Sequence, residues 1–107
     1  MIDPYADERR ALVEAVTGGA GHLAPAVRSA IVDRARGHVD EGAIPATLVR
    51  FVDRVARDAT LVEDQDIDAL LAAGFDEEAV FEAVVAAALG ASLTRLEAVD
   101  ALLEGHG

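Results

Sequence analysis

Apolar residues recur along this chain at intervals of three and four, in five blocks separated by glycine, proline or acidic clusters. That period puts a stripe along one side of a helix, and no segment reads as a strand. Asp3-Pro4 has the form of an N-cap followed by proline at the first helical position. Leu12, Val13 and Val16 then share a face until Gly18-Gly19 stops the helix. A second helix is expected from about Pro25 to near Gly37, carrying Val27, Ile31 and Val32. Residues 38–44 make a polar connector with a glycine. Pro45 opens a third helix, with Leu48, Phe51, Val52 and Val55 at helical spacing. A short fourth helix begins near Glu63-Asp64, buries Ile67, Leu70 and Leu71, and ends at Gly74, the residue best suited to a left-handed helix terminus. Asp76 caps a fifth, and acidic residues at 76, 77 and 78 complement the positive end of its dipole.

The fifth helix is the unusual one. From about Glu77 to Glu104 only Gly90 interrupts it, and its apolar set runs through Val80, Phe81, Val84, Val85, Leu89, Leu93, Leu96, Val99, Leu102 and Leu103. At 1.5 Å per residue it spans roughly 40 Å, more than the body of a domain this size. Either Gly90 bends or breaks it, or its end reaches a second subunit. Between Ala83 and Ala91 it is apolar or small almost all round, which implies more than one neighbour. We therefore expect a homo-oligomer whose interface includes Val84, Val85, Ala88, Leu89, Leu93 and Leu96. The expected architecture is all-α, a compact bundle of about five helices in a single domain, 1–107, with a long C-terminal helix.

Composition sharpens this picture. The chain holds 23 alanines and only 4% aromatic residues. Alanine favours helix and lets helices approach closely, but it removes little apolar surface from water, so partner subunits would thicken a thin core. The formal charge is −11 and every basic residue is arginine. Residues 1–62 carry 8 arginines against 9 acids, whereas residues 63–107 carry only Arg95 against 11 acids. Such a balance opposes non-specific attraction to nucleic acid or anionic lipid. With no cysteine there is no disulfide, thiolate nucleophile or Cys-ligated zinc. Asp3, Asp7 and Glu8 stand where a signal peptide would be basic. The longest uncharged helical run, between Glu82 and Arg95, is 12 residues, against the ~20 of a membrane span. A cytoplasmic location without membrane contact is expected.

Residues 45–97 carry Pro45, then Leu48-Val49-Arg50-Phe51-Val52-Asp53-Arg54-Val55-Ala56-Arg57-Asp58, the acidic start Glu63-Asp64-Gln65-Asp66, Ala73-Gly74-Phe75-Asp76-Glu77-Glu78-Ala79-Val80 and Leu93-Thr94-Arg95-Leu96. This half of the chain resembles the C-terminal part of the alkylhydroperoxidase D and carboxymuconolactone decarboxylase superfamily. The resemblance implies an alkylhydroperoxidase-like, all-helical fold and assembly into trimers, hexamers or related rings. Peroxidase members use a Cys-x-x-Cys pair with a nearby histidine and glutamate; here there is no cysteine, and no histidine between His38 and His106. The family's Phe-Asn-x-x-Asn-Arg segment reads Gly90-Ala91-Ser92-Leu93-Thr94-Arg95, keeping only the arginine. Thiol peroxidase chemistry is thus excluded for the isolated chain. What the resemblance leaves is a degenerate relative, with a thiol-bearing homologue as a candidate partner.

The remaining motifs are sparse. Asp64-x-Asp66-x-Asp68 opens like a calcium loop, but Ala69 and Phe75 stand where glycine and a bidentate glutamate are required. No metal and no cofactor are expected. Gly18-Gly19-Ala20-Gly21 follows a helix and lacks the lysine of a phosphate loop. His22, His38 and His106 have no ligand spacing; His22, beside Gly21 and near Pro25, is the histidine best placed to approach a pocket. Arg50, Arg54 and Arg57 form a stripe on the third helix, suited to anion binding or to docking on an acidic helix, with intrachain pairing the plainer expectation. Arg95 follows a strongly apolar turn and is expected partly buried against a carboxylate. Two functions follow: a non-enzymatic assembly module, or a small-molecule binder or enzyme whose interhelical pocket uses His22, an arginine such as Arg95, and an acid.

Overall fold

A computed structural model describes residues 5–18, 21–38 and 42–106, with only the backbone of His106. The described residues form five α-helices: α1 (Ala6–Gly18), α2 (Pro25–Ala35), α3 (Ala46–Arg57), α4 (Asp64–Ala72) and α5 (Glu77–His106). The expected cap at Asp3-Pro4 lies outside them. So does part of the connector between α2 and α3.

Local signals account for most boundaries. Pro25 opens α2, and Pro45 sits at the N-cap of α3. The four buried residues of α3 are Leu48, Phe51, Val52 and Val55, the stripe its spacing predicts. At the end of α4 the Phe75 N–H donates to the Leu70 carbonyl and the Gly74 N–H to the Leu71 carbonyl, both at 3.1 Å. This paired closure needs a left-handed residue, and Gly74 supplies it at φ 104°. Asp76 then starts α5, its Oδ1 accepting the Ala79 N–H at 2.8 Å. A single 3-10 turn, Ala59–Leu61, was not evident from apolar spacing; the Asp58 carboxylate organises it by accepting from the backbone N–H and hydroxyl of Thr60.

The core forms where α5 crosses α2 and α3. From α2 and α3 come Ile31, Val32, Leu48, Phe51, Val52 and Val55; from α5 come Ala79, Val80, Ala83, Ala86, Ala87, Leu89 and Leu93. Large side chains on one side meet mostly alanine on the other, so the axes approach closely. Gly90 is the tightest point. It does not break α5, which is continuous through all 30 residues. A Cβ built there would lie 2.5 Å from the Val32 carbonyl oxygen and 2.6 Å from the Ala35 Cβ. Glycine is thus a packing requirement at this crossing.

The apolar set expected on α5 divides in two. Val80, Leu89 and Leu93 are buried, and Val84 packs partly against the core. Phe81, Leu96, Val99, Leu102 and Leu103 remain exposed, at 45–65% of their surface. By length and composition alone Glu77–Gly105 would suffice to cross a membrane, yet half of its most apolar window is covered within the fold, as in the core helix of a globule. The last turns of α5 project past the core and give the molecule its 51 Å long axis. α1 is peripheral: it has no fully buried residue, Val13 and Val16 lean on the core, and Leu12 is exposed.

Gly90→Ala should destabilise the protein by up to about 2 kcal/mol in urea unfolding, because the overpacking cost of ~1–3 kcal/mol is set against the ~1 kcal/mol gained in helix propensity. Gly105→Ala in the same helix, where a Cβ meets nothing within 4 Å, should be neutral or stabilising.

Candidate functional site

Three places carry the chain's chemistry: the loop between α1 and α2, an arginine-lined groove along α3, and the outward face of α5.

In the loop, the sixty-residue separation between His22 and Glu82 is closed by hydrogen bonds. The Glu82 carboxylate accepts the His22 backbone N–H at 2.8 Å and the Leu23 N–H at 3.0 Å. Arg28, which is buried, donates Nε to the Leu23 carbonyl and Nη1 to the Val16 carbonyl, and its Nε lies 4.0 Å from Glu82. Burial opposes the charge on Glu82, but the two N–H donors and Arg28 outweigh it and hold the carboxyl below its ordinary value. Gly21 is tight against this carboxylate: a Cβ there would meet Glu82 Oε1 at 2.5 Å. The His22 Nδ1 sits 2.8 Å from Asp76 Oδ2. Asp76 thereby caps α5 with one oxygen and holds the imidazole with the other. That hydrogen bond and the accompanying charge raise the pKa of His22; the Ala79 N–H, then His22, lower that of Asp76.

Histidine, arginine and two carboxylates therefore do meet, but the arginine is Arg28 rather than Arg95. Arg95 lies thirteen residues beyond Glu82 on α5, about 20 Å along the axis. It is exposed rather than partly buried, and it helps lower the Asp58 carboxyl after the Thr60 hydroxyl and N–H. The sequence offered no signal for Arg28, because its role depends on carbonyls from α1 and the loop. As chemistry, the assembly is a latch: every polar atom of Glu82 and Arg28 described above is spent on the backbone or on each other. His22 is half-exposed, at 52% of its side chain, and among the described residues no nucleophile is hydrogen-bonded to it. His38 is exposed at the end of α2, and the side chain of His106 lies outside the described residues.

The α3 stripe divides on contact with its neighbours. Arg54 Nη1 contacts both carboxylate oxygens of Asp66, at 2.9 and 2.8 Å. Asp66 also accepts the Glu63 N–H, so the middle acid of the calcium-like motif is committed to a helix cap. Asp53 is held by the fork of Arg34, with Nε–Oδ1 at 2.6 Å and Nη2–Oδ2 at 2.9 Å. Arg50 and Arg57 are exposed and have no hydrogen bond or ion pair among the described residues. With Val49, Arg54, Leu61 and Glu63 they line an open groove of about 760 Å³.

On α5, the six expected interface residues separate by face. Leu89 and Leu93 turn inward and are buried in the chain's own core. A charge at Leu93 would test folding, not association. Val84 and Val85 are half-buried, while Ala88 and Leu96 are exposed. Comparison with protein-family models, curated proteins and solved structures finds no match for this chain.

The latch predicts a pH dependence with two limits. His22, whose pKa is raised on folding, contributes stability that is complete below its ordinary 6.5 and is lost as pH rises through the folded value. Asp76, whose pKa is lowered, contributes above its ordinary 3.8 and loses that contribution as pH falls through the folded value. The contact is therefore fully effective between 3.8 and 6.5. Thermal melts should show the wild type losing stability above pH 6.5 relative to His22→Gln, the difference between the two curves shrinking toward alkaline pH.

Proposed function

We propose that this chain is a non-redox, non-enzymatic assembly module: a homo-oligomeric helical protein, and a cysteine-free relative of the alkylhydroperoxidase-like fold. One observation carries the assembly reading. On the side turned away from α2 and α3, α5 bears a second apolar stripe: Phe81, Val85, Ala88, Ser92, Leu96, Val99 and Leu103, spaced by three or four. It runs about 33 Å, and at the ~10 Å width of a helix it covers ~300 Å². An apolar patch on that scale matches the largest one a typical monomer exposes, and such patches are often functional.

A second copy of the chain is the occupant that fits. The stripe places small residues, Ala88 and Ser92, at its middle and large ones toward both ends. Antiparallel α5 helices crossing near their centres would set Phe81 and Val85 against the partner's Val99 and Leu96, with the small residues allowing close approach. Such self-complementarity is what a two-fold interface requires. The standard stable interface buries ~800 Å² per partner, so flanking segments must contribute beyond the stripe. The family resemblance supports self-association as such by implying oligomers of subunits; a two-fold pairing along α5 by itself closes as a dimer. Absence of cysteine supports its non-redox part, since neither a thiolate nor a disulfide can form.

Sedimentation velocity at micromolar concentration should show an oligomer, and the double variant Phe81→Glu/Leu96→Glu should run as a monomer with an unchanged circular dichroism spectrum. A monomeric wild type would overturn the assembly reading. Peroxide turnover by the purified chain alone would overturn the non-redox one.

A further inference from the structure

We propose that the groove along α3 is a docking site for an acidic, leucine-bearing segment of a partner protein, a function separate from self-assembly and carried by different residues. The argument starts from where the arginines go. Arg34 and Arg54 are neutralised by Asp53 and Asp66, and the Glu63 carboxylate is turned to the Gln65 amide at 2.6 Å. The carboxylates in and beside the groove are thus engaged, while Arg50 and Arg57 are not. Two unpaired cations persist side by side in a chain with 20 acidic residues. Arg57 gains modestly from its place in the last turn of α3, where a cation complements the helix dipole. Arg50, two turns earlier, has no such compensation from the fold.

Geometry selects the kind of ligand. Seven residues apart on one helix, Arg50 and Arg57 project on the same side with about 10 Å of axial separation. Val49 and the exposed Leu61 give the groove an apolar wall. A second concavity of about 350 Å³ shares Ala46, Arg50 and Arg54 with the first and carries the surface across to α4 at Asp66, Ala69 and Leu70. An open surface with separated cations and an apolar wall matches a chain segment better than a small enclosed ligand. Arginine forks bind carboxylates with two parallel hydrogen bonds. A helix carrying glutamates at i and i+7, with leucine between, presents the complementary pattern. The protein's own negative charge does not prevent this, because at physiological ionic strength fields are screened beyond about 8 Å, and in the groove lining Arg50, Arg54 and Arg57 outnumber Asp53 and Glu63.

The test uses a fluorescein-labelled helical peptide with Glu at i and i+7 and Leu at i+3 and i+4, titrated with the full chain and followed by anisotropy. Binding should fall at least about tenfold, or ~1.4 kcal/mol, with Arg50→Glu or Arg57→Glu, and should weaken with added salt. It should also fall when the peptide's glutamates are replaced by glutamine. Arg50→Ala should weaken binding while leaving the urea unfolding midpoint unchanged. Loss of stability in that variant would mean Arg50 serves the fold, and would overturn the proposal. So would no binding of the probe, or equal binding of a lysine-substituted peptide. Binding of sulfate at the two arginines with no peptide binding would replace the proposal with a small-anion site. Phe81→Glu/Leu96→Glu, which addresses self-assembly, should leave peptide binding intact; loss there would show that the peptide reports the α5 interface instead.

Discussion

The close approach of α5 to α2 is the constraint on which the rest of this fold depends. Gly90 lies against the Val32 carbonyl and Ala35, and Ala83, Ala86 and Ala87 are completely buried beside it. Small residues on α5 leave room for Ile31, Val32, Leu48 and Phe51 to occupy the space between the helices. Each alanine contributes little apolar area, so the core's stabilisation comes largely from the α2 and α3 side chains that the alanines admit. The same choice keeps α5 continuous, because alanine is the strongest helix former and Gly90 is pinned by packing. A rigid rod longer than its core must leave an end uncovered.

That uncovered length shapes what the protein can do. One face of α5 is consumed by folding, while the opposite face stays apolar and outward. Function is therefore sought in surfaces rather than in an enclosed pocket. Self-association along α5 and ligand capture along α3 would occupy different sides of the molecule and can operate together.

Charge plays a complementary part. Arg9 pairs with Asp100, Arg28 with Glu82, Arg36 with Glu97, Arg54 with Asp66, and His22 with Asp76. In these five pairs the cation comes from the first 62 residues and the acid from the remainder, whereas Arg34–Asp53 and Arg10–Asp7 lie within the first 62. The asymmetry along the sequence is thus a means of joining the two halves of the chain. Exposed pairs of this kind contribute only about 0–1 kcal/mol each, so they orient elements that the apolar core has already brought together. Glu82 differs because it also satisfies loop N–H groups and faces the buried Arg28. Arg50, Arg57 and Arg95 are left over among the described residues when this pairing is done, and of these Arg50 and Arg57 share one groove.

Much of the fold was legible in the sequence because its causes are local. The stripe on α3, the glycine ending α4 and the Asp76 cap each arise from spacing or backbone preference within a few residues. The length and all-round apolarity of α5 were equally plain. Sequence could not assign its faces: Leu93 and Leu96 belong to one periodic set, yet the first is buried and the second exposed. Nor could it find Arg28, whose partners are a glutamate fifty-four positions away and carbonyls presented by other elements. Gly90 left open a bend, a break or an uninterrupted helix in the sequence, and it proved to be a packing contact inside a continuous helix. Local propensity determines that a helix forms and where it stops. Which side it turns inward, which charges meet and why a glycine must be small depend on the distance between elements, and only the tertiary structure decides that.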